Sequence, residues 1–430
     1  MFDFCYILCY IFYYTKGMLK KMGRIIFHID VNSAFLSWQA AYNKKMGNNE
    51  VDLRNIPSAV GGDEAKRKGV VLTKSQKAKK YGVKTGESLF EARKKCPNLL
   101  IVKPNFKIYR MYSNKLFDLL SEYSDTIERY SIDECFLDYT FSQKLFGEPI
   151  KAAYKIKERI KRELGFTVNI GISNNKLLAK MAGDLKKPDK VITLFPEEIE
   201  EKMFPLNINE LFMVGRKTKE KLNSLGIKTI GDLNKCSMEF LINNFKQAQG
   251  TMLYNYSHGI DESEVEISRQ TKSIGNSTTL KNDTTDIAEI KKVFLALSDS
   301  IGTRLRRKNL KGNTITVTIK NNLFHSYSHQ RTLPYFTNST NTIYEQSFKL
   351  FNEFWNNDAI RLLGVSVGGL DKEKINQLSL IEEKIENEKM KKVEEVMDKL
   401  RDNYGQDIIK RGEPKEKTHK TISDKLDYFK

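Results

Sequence analysis

A short apolar run that ends on an acid, residues 25–30 closing at Asp30, restricts this chain more than any other feature. Such a run reads as a buried strand that carries one carboxylate to its end. A second acidic site, Asp133-Glu134, lies between two further strand-like runs, 126–132 and 135–139. Consecutive residues of a regular strand point to opposite faces, so this pair serves one place only where the backbone turns. The break between the two runs puts a hairpin at that point. Carboxylates converging on one spot are what two divalent ions need for phosphoryl transfer. The same acids, taken alone, also read as a helix cap after Asp30 and an acidic turn at Asp133-Glu134.

The surrounding pattern is mixed. Residues 34–42 look helical, and 60–63 (Val-Gly-Gly-Asp) read as a turn ahead of a basic stretch over 66–84. Ile108, Met111, Tyr112, Leu116, Leu119 and Leu120 recur at helical spacing, as do Ile150, Ala153, Ile156, Ile160 and Leu164. A strand over 167–172 and a helix over 176–184 follow. A lone strand, a hairpin, a helix and a strand in that order suit an α+β unit, an antiparallel-rich sheet backed by helices. Composition changes near Leu194. Residues 195–260 read as small helices, and 261–270 as a polar linker. Residues 271–370 alternate, with a helix over 290–305, a strictly alternating strand over 314–320 and a last strand over 363–370. Beyond 371 the chain is charged, with one apolar helix stripe (Val393, Val396, Met397, Leu400, Tyr404) closed by Gly405.

Charge proposes a partner. In 430 residues, 72 Lys and Arg stand against 54 Asp and Glu, leaving +18. That surplus fits a polyanion, nucleic acid first and an anionic membrane second, while a lysine-rich proteome gives the same number. The 5 cysteines show no zinc spacing and cannot all pair with one another, which suits a reducing cytoplasm. Residues 2–14 are apolar and aromatic but fall short of the roughly 20 needed to span a bilayer. Their first charge is acidic, unlike a signal peptide. Residues 1–21 therefore read as an extension ahead of a true start at Met18 or Met22, with a weak membrane tether as the other reading. No stable membrane association is expected.

Context decides between the readings of the acids. Asp30-Val31-Asn32-Ser33-Ala34-Phe35, Ser131-Ile132-Asp133-Glu134, the block Gly171-Ile172-Ser173-Asn174-Asn175-Lys176-Leu177-Leu178-Ala179-Lys180 and Lys187-Pro188 occur in that order. In these the sequence resembles the Y-family DNA polymerases, particularly the bacterial DNA polymerase IV-like enzymes, from about Met22 to Asp371. The resemblance implies a right-hand-like architecture: a ferredoxin-like palm (22–32 and 105–194), small fingers (33–104), a helical thumb (195–260), an α/β little finger (271–370) and a charged tail (371–430). It implies that Asp30, Asp133 and Glu134 are the catalytic carboxylates and hold two Mg²⁺ ions. The backbone at Val31, Asn32, Ser33, Ala34 and Phe35 would cradle the triphosphate, with Lys187 as a triphosphate-binding point charge. Phe35 falls at the steric-gate position, where a ring beneath the incoming sugar excludes a 2′-hydroxyl by clash. The family often has Tyr and Arg in the fingers where this chain has Gln76 and Lys79. Lys79 keeps the charge without the bidentate fork.

For DNA, Gly215, Lys217 and Thr218 lie in a stretch that looks like a helix–hairpin–helix, whose helix-start amides favour phosphate. Met213 stands where the usual first glycine would be. Lys272, Arg304, Arg306, Arg307, Lys308 and Arg361 are the basic candidates in the little finger, where phosphate neutralisation makes binding salt-dependent. Gln377, Leu378, Leu380 and Ile381 resemble the short bacterial motif that docks polymerases on the sliding clamp (the beta subunit), with Ile381 in place of the usual Phe. The expected activity is low-fidelity, DNA-directed DNA synthesis across lesions by a monomer, from a dNTP onto a primer–template. No segment resembles a proofreading exonuclease. A subunit active only with accessory proteins, or a catalytically silent DNA-binding scaffold, are the alternatives.

Overall fold

In the computed structural model, strand β1 (Ile26–Val31) is followed directly by helix α1 (Ala34–Lys45). The structure describes residues 23–47, 51–62, 69–267, 270–371, 388–405 and 407–412. The extension 1–21 and the motif 377–381 lie outside these. Next come β2 (Ser58–Gly61), β3 (Val71–Lys74), α2 (Gln76–Lys80), α3 (Leu89–Lys95) and β4 (Leu100–Val102), then α4 (Phe106–Ser121), β5 (Ile127–Arg129) and β6 (Glu134–Asp138). The first unit continues through α5 (Pro149–Leu164), β7 (Val168–Ser173), α6 (Lys176–Leu185), β8 (Val191–Thr193), α7 (Arg216–Ser224), α8 (Ile230–Asn234) and α9 (Met238–Ser257), the last kinked at Lys246. The described residues fall into two compact units that divide at Arg269–Gln270.

The first unit is built on a five-stranded sheet of order β5-β6-β1-β7-β8, antiparallel except for β7 against β8. Alternation along β1 sends Phe27, Ile29 and Val31 into the large core with α1, α4 and α5. Ile26 joins Phe136 and Ala179 on the other face. There α6 lies on β7 and β1 unusually closely. A Cβ on Gly171 would sit 2.0 Å from the Ala179 carbonyl oxygen, and one on Gly183 would sit 3.0 Å from His28 Nδ1. Only glycine permits that approach. The far side of α6 (Leu177, Leu178, Met181) enters the core of the helices over 199–257, so α6 is wedged between sheet and helices. A three-stranded sheet, β3-β2-β4, carries α2 and α3. Val60 and Gly61, expected in a turn, belong to β2, because β2 pairs on both sides.

The expected linker is extended, yet its first half is strapped down. Asp261 caps α6 by accepting the Leu177 amide at 3.1 Å, Glu128 accepts the Glu266 amide at 3.1 Å, and Val265 is buried against Ile26, Phe136 and Ala179. Two hydrogen bonds and one buried apolar side chain seat it.

The second unit holds β9 (Ser273–Thr284), α10 (Ile287–Arg307), β10 (Lys311–Asn321), β11 (Ser326–Thr337), α11 (Thr340–Phe354), β12 (Ile360–Asp371) and α12 (Glu388–Tyr404). Its antiparallel sheet runs β11-β10-β12-β9, with α10 and α11 over one face. The last helix overturns its expected apolar seat. Of the stripe, Met397 is buried, while Val393, Val396 and Tyr404 are exposed. The buried side is ionic: Glu394 and Asp398 receive Arg306 at 3.0 and 2.6 Å, and Arg401 meets Asp299 at 2.7 Å. The arginines at the end of α10 needed acids more than apolar cover, so the helix turned its charged face inward. Arg306 and Arg307, expected to meet DNA, are instead engaged by Asp398, Glu394 and Asp402.

Candidate active site

Asp30 and Glu134 are register partners on β1 and β6, so their side chains leave the same face of the sheet. The hairpin between β5 and β6 closes through amides of Tyr130 and Ser131, both donating to the Glu134 carbonyl. Asp133 sits in that turn, and its carbonyl accepts the Val31 amide at 3.0 Å. Ser131 Oγ donates to Asp133 Oδ1 at 2.6 Å. The turn thus brings both acids of the pair beside Asp30, as the break in the sequence required.

Each carboxylate has a protein partner. Glu134 Oε2 accepts from Lys180 Nζ at 2.8 Å and lies 3.2 Å from His28 Nε2. Burial opposes ionisation of Glu134, but these two partners outweigh it and hold the group at about 2. Burial pushes His28 down, towards the neutral ring. Burial, then the charges of Asp30 and Glu134, push Asp133 up from the usual carboxylate range. Lys187 pairs with Asp30 and, at 2.8 Å, with Asp184. Burial opposes its charge, yet the two acids raise its pKa. Among the described residues no ready-made cluster of three or more metal-binding side chains stands. The donor set nevertheless fits hard divalent ions: three carboxylates, no thiolate, and mutual repulsion that a cation relieves.

Ser33, the N-cap of α1, has a left-handed backbone (φ 51°) and its side chain makes no capping bond. The amides of Val31 and Asn32 are already donated to Asp133 and Thr167, both at 3.0 Å, whereas the first intrahelical bond of α1 starts at Ser37. The donors left at the helix start are therefore those from Ser33 onward, one turn of amides that favours an anion. Phe35 follows, half-buried, its ring stacked on Tyr109 with centroids 4.8 Å apart. In the three-stranded unit, Lys79 lies exposed in the last turn of α2, and Gln76 begins that helix. Burial, then the charge of Lys79, lowers the pKa of Lys74.

At the hairpin before α7, Met213 adopts φ 69°. The chain thus keeps the glycine-like turn with a methionine, at a cost of about 1–2 kcal/mol. Gly215 caps α7 without a side-chain bond, and a Cβ there would meet nothing within 4 Å. Lys217 is exposed, and Thr218 Oγ1 accepts from Gln249 at 3.0 Å. In the second unit Lys272 is exposed just before β9. Arg361 lies over the Phe324 ring at 4.5 Å and 3.8 Å from Asp283.

Several residues of these sites were not singled out from sequence. His28, Lys180 and Asp184 contact the carboxylates or Lys187. For Lys180 the available signal was its place four residues after Lys176 on one helix face, the two meeting Glu134 and Glu128. The sheet of the second unit carries three rows of Ser, Thr and Gly, with one Gln, across its open face: Ser328-Thr318-Gly364-Ser277, Gln330-Thr316-Ser366-Gly275 and Thr332-Thr314-Gly368-Ser273. Hydroxyl alternation in those strands was the available sign.

A palm-like sheet presenting these carboxylates, with a helical hairpin module in the same unit, suits metal-assisted phosphoryl transfer on a nucleic acid. The sequence matches the impB/mucB/samB family over residues 29–184, that family's C-terminal domain over 271–380, and the DNA polymerase-iota thumb domain over 210–261. DNA polymerase IV of Clostridium acetobutylicum is 48% identical over 401 residues, covering 93% of this chain and 100% of that protein. DNA polymerase IV of Acetivibrio thermocellus is 38% identical over 91% of this chain and 97% of its own length, and DNA polymerase IV 1 of Bacillus subtilis 36% over 91% and 93%. A solved Y-family DNA polymerase chimera superposes with a TM-score of 0.69 at 25% identity, covering 81% of this chain and 100% of that one. The chain belongs to the Y-family, the impB/mucB/samB family of translesion DNA polymerases. It is a DNA-directed DNA polymerase of palm, thumb and little-finger architecture, acting on DNA and dNTPs with a divalent metal.

Proposed function

We propose that Asp30, Asp133 and Glu134 hold two Mg²⁺ ions for transfer of a deoxynucleotide to a primer 3′-hydroxyl. The observation that carries this is the cross-strand pairing of Asp30 with Glu134 beside the Asp133 turn. When bound, the ions activate the attacking oxygen and stabilise the charged transition state and leaving pyrophosphate. The protein's own part is positional. Amides at Ser33, Ala34 and Phe35 meet the triphosphate, while Val31 and Asn32 contribute by fixing the turn that precedes them. Lys187 takes the phosphate tail, and Phe35 stacks beneath the sugar and rejects ribose. Lys79 and Lys74 offer the fingers' positive charge, and a polyphosphate between them relieves their repulsion.

The proposed divisions are palm (22–32 and 105–194), fingers (33–104), thumb (195–260) and little finger (271–370). The start of α7, with Gly215, Lys217 and Thr218, receives a DNA phosphate. The little finger grips the backbone through its Ser, Thr and Gly rows, with Lys272 and Arg361 as charges, which suits contact without regard to sequence. Gln377, Leu378, Leu380 and Ile381 dock the sliding clamp. The enzyme works as a cytoplasmic monomer, consistent with the free thiols of Cys96, Cys135 and Cys236.

Primer extension by the purified chain with Mg²⁺, beside Asp133→Ala, tests the reading. Extension that survives Asp133→Ala removes the metal assignment, and extension that needs an added protein makes the chain an accessory-dependent subunit. Deleting 377–381 should abolish clamp stimulation and leave clamp-free synthesis unchanged.

A further inference from the structure

Lys180 lies between two aromatic rings and two polar groups, Glu134 and, at 3.5 Å, His28 Nε2. Its ammonium lies 5.5 Å from the Tyr130 ring and 5.4 Å from the Phe212 ring, and 2.8 Å from Glu134 Oε2. Its side chain is 14% exposed, so its charge is confined with Glu134 as its anionic partner there. Flanking rings attract an ammonium by about 0.5–2 kcal/mol and limit where it moves. Phe212 belongs to the helical module, where it stacks on Tyr256 and contacts Tyr130. It is also the residue immediately before Met213, whose left-handed backbone opens the hairpin leading to Gly215 and α7. From Phe212, one contact reaches Lys180 and the next reaches Glu134.

We propose that Lys180 is a positioning residue that fixes the Glu134 carboxylate, and that Phe212 makes this depend on how the thumb hairpin is seated on DNA. This rests on the reading of Glu134 as a catalytic carboxylate. Lys180 holds Oε2 together with the neutral-leaning His28 ring, and supplies the charge of that pair. A hairpin displaced from its phosphate carries Phe212 with it, widens the space between the rings and lets the ammonium and Glu134 swing. Synthesis is then slowed when the thumb is not engaged, without loss of any ligand-binding group.

The test is single-turnover primer extension and Mn²⁺ binding to the polymerase–DNA complex without dNTP, for Lys180→Met, Lys180→Arg, Phe212→Ala and the Lys180→Met/Phe212→Ala pair. Lys180→Met is expected to slow extension roughly 10–100-fold, the usual effect of losing a partner that orients a ligand. Mn²⁺ binding stays at least as tight, because a competing cation has gone. Lys180→Arg recovers most of the rate. Phe212→Ala slows extension in the same sense and adds nothing in the Lys180→Met background, as two residues on one path should. An unchanged rate in Lys180→Met, a parallel loss of Mn²⁺ binding, or additive effects of the pair would overturn the proposal. If Lys180→Met does not fold, Phe212→Ala and Lys180→Arg carry the test. Glu134→Ala is run alongside. Should it retain full rate, the functional reading itself falls, whereas its loss beside an intact Lys180→Met removes only this inference.

Discussion

Phe35 stacks on Tyr109 with ring planes 15° from parallel, and Phe106 and Trp38 close around the pair at 5.8 and 6.0 Å. The gate proposed for Phe35 needs a ring that does not move, and this ring is held by an aromatic cluster rather than by its own rotamer alone. Phe35→Ala should therefore admit ribonucleotides in primer extension. Tyr109→Ala should admit them too, less strongly, by letting Phe35 tilt. Unchanged sugar selectivity in Phe35→Ala would remove the gate assignment.

Lys187 is held by Asp30 and Asp184. Its replacement by Ala should raise the dNTP concentration for half-maximal synthesis about 10–100-fold, the range of one lost charge-assisted bond. The maximal rate should fall less. Titration of dNTP in single-turnover extension distinguishes this from a general loss of activity.

Glu394 is 2% exposed and carries ion pairs with Arg306 and Arg411 under α12. Glu394→Ala leaves two arginines facing an apolar methyl. The second unit should lose about 3–5 kcal/mol, the typical result of removing one member of a buried pair. Urea unfolding of the full chain checks it, and a loss below about 1 kcal/mol would mean that water reaches the network.

Glu198 accepts the Phe195 amide at 2.7 Å and Thr193 Oγ1 at 3.1 Å, and pairs with Lys202. Burial opposes its ionisation, but these partners lower its pKa below the ordinary 4.5. A depressed carboxylate stabilises the fold above its unfolded pKa and ceases to do so as pH falls through the folded value. Glu198→Gln should cost about 1–2 kcal/mol at pH 7 and progressively less as pH falls below 4.5. An equal loss across that range would show that the contribution is not ionic.

The acids of the palm were readable because their signal is local. A strand ending at Asp30 and a break at Asp133 each sit within a few residues of chain. What escaped needed partners far along the sequence. Arg306 looks like a DNA contact until Asp398 is seen beneath it, and the last helix looks apolar until its ionic face is counted. Met213 looked like a departure from a glycine turn, yet the backbone around it imposes the glycine-like angle. Lys180 stands in a sequence motif without a visible task, because the task proposed for it depends on Phe212, which shares no motif with it.

The glycine pair at 171 and 183 carries a further consequence. Where sheet and helix touch with no room for a single carbon, packing and chemistry cease to be separable properties. A methyl group added at either position lifts α6, and with it Lys180, away from Glu134. A substitution that ought to register only in a melting curve would register first in turnover.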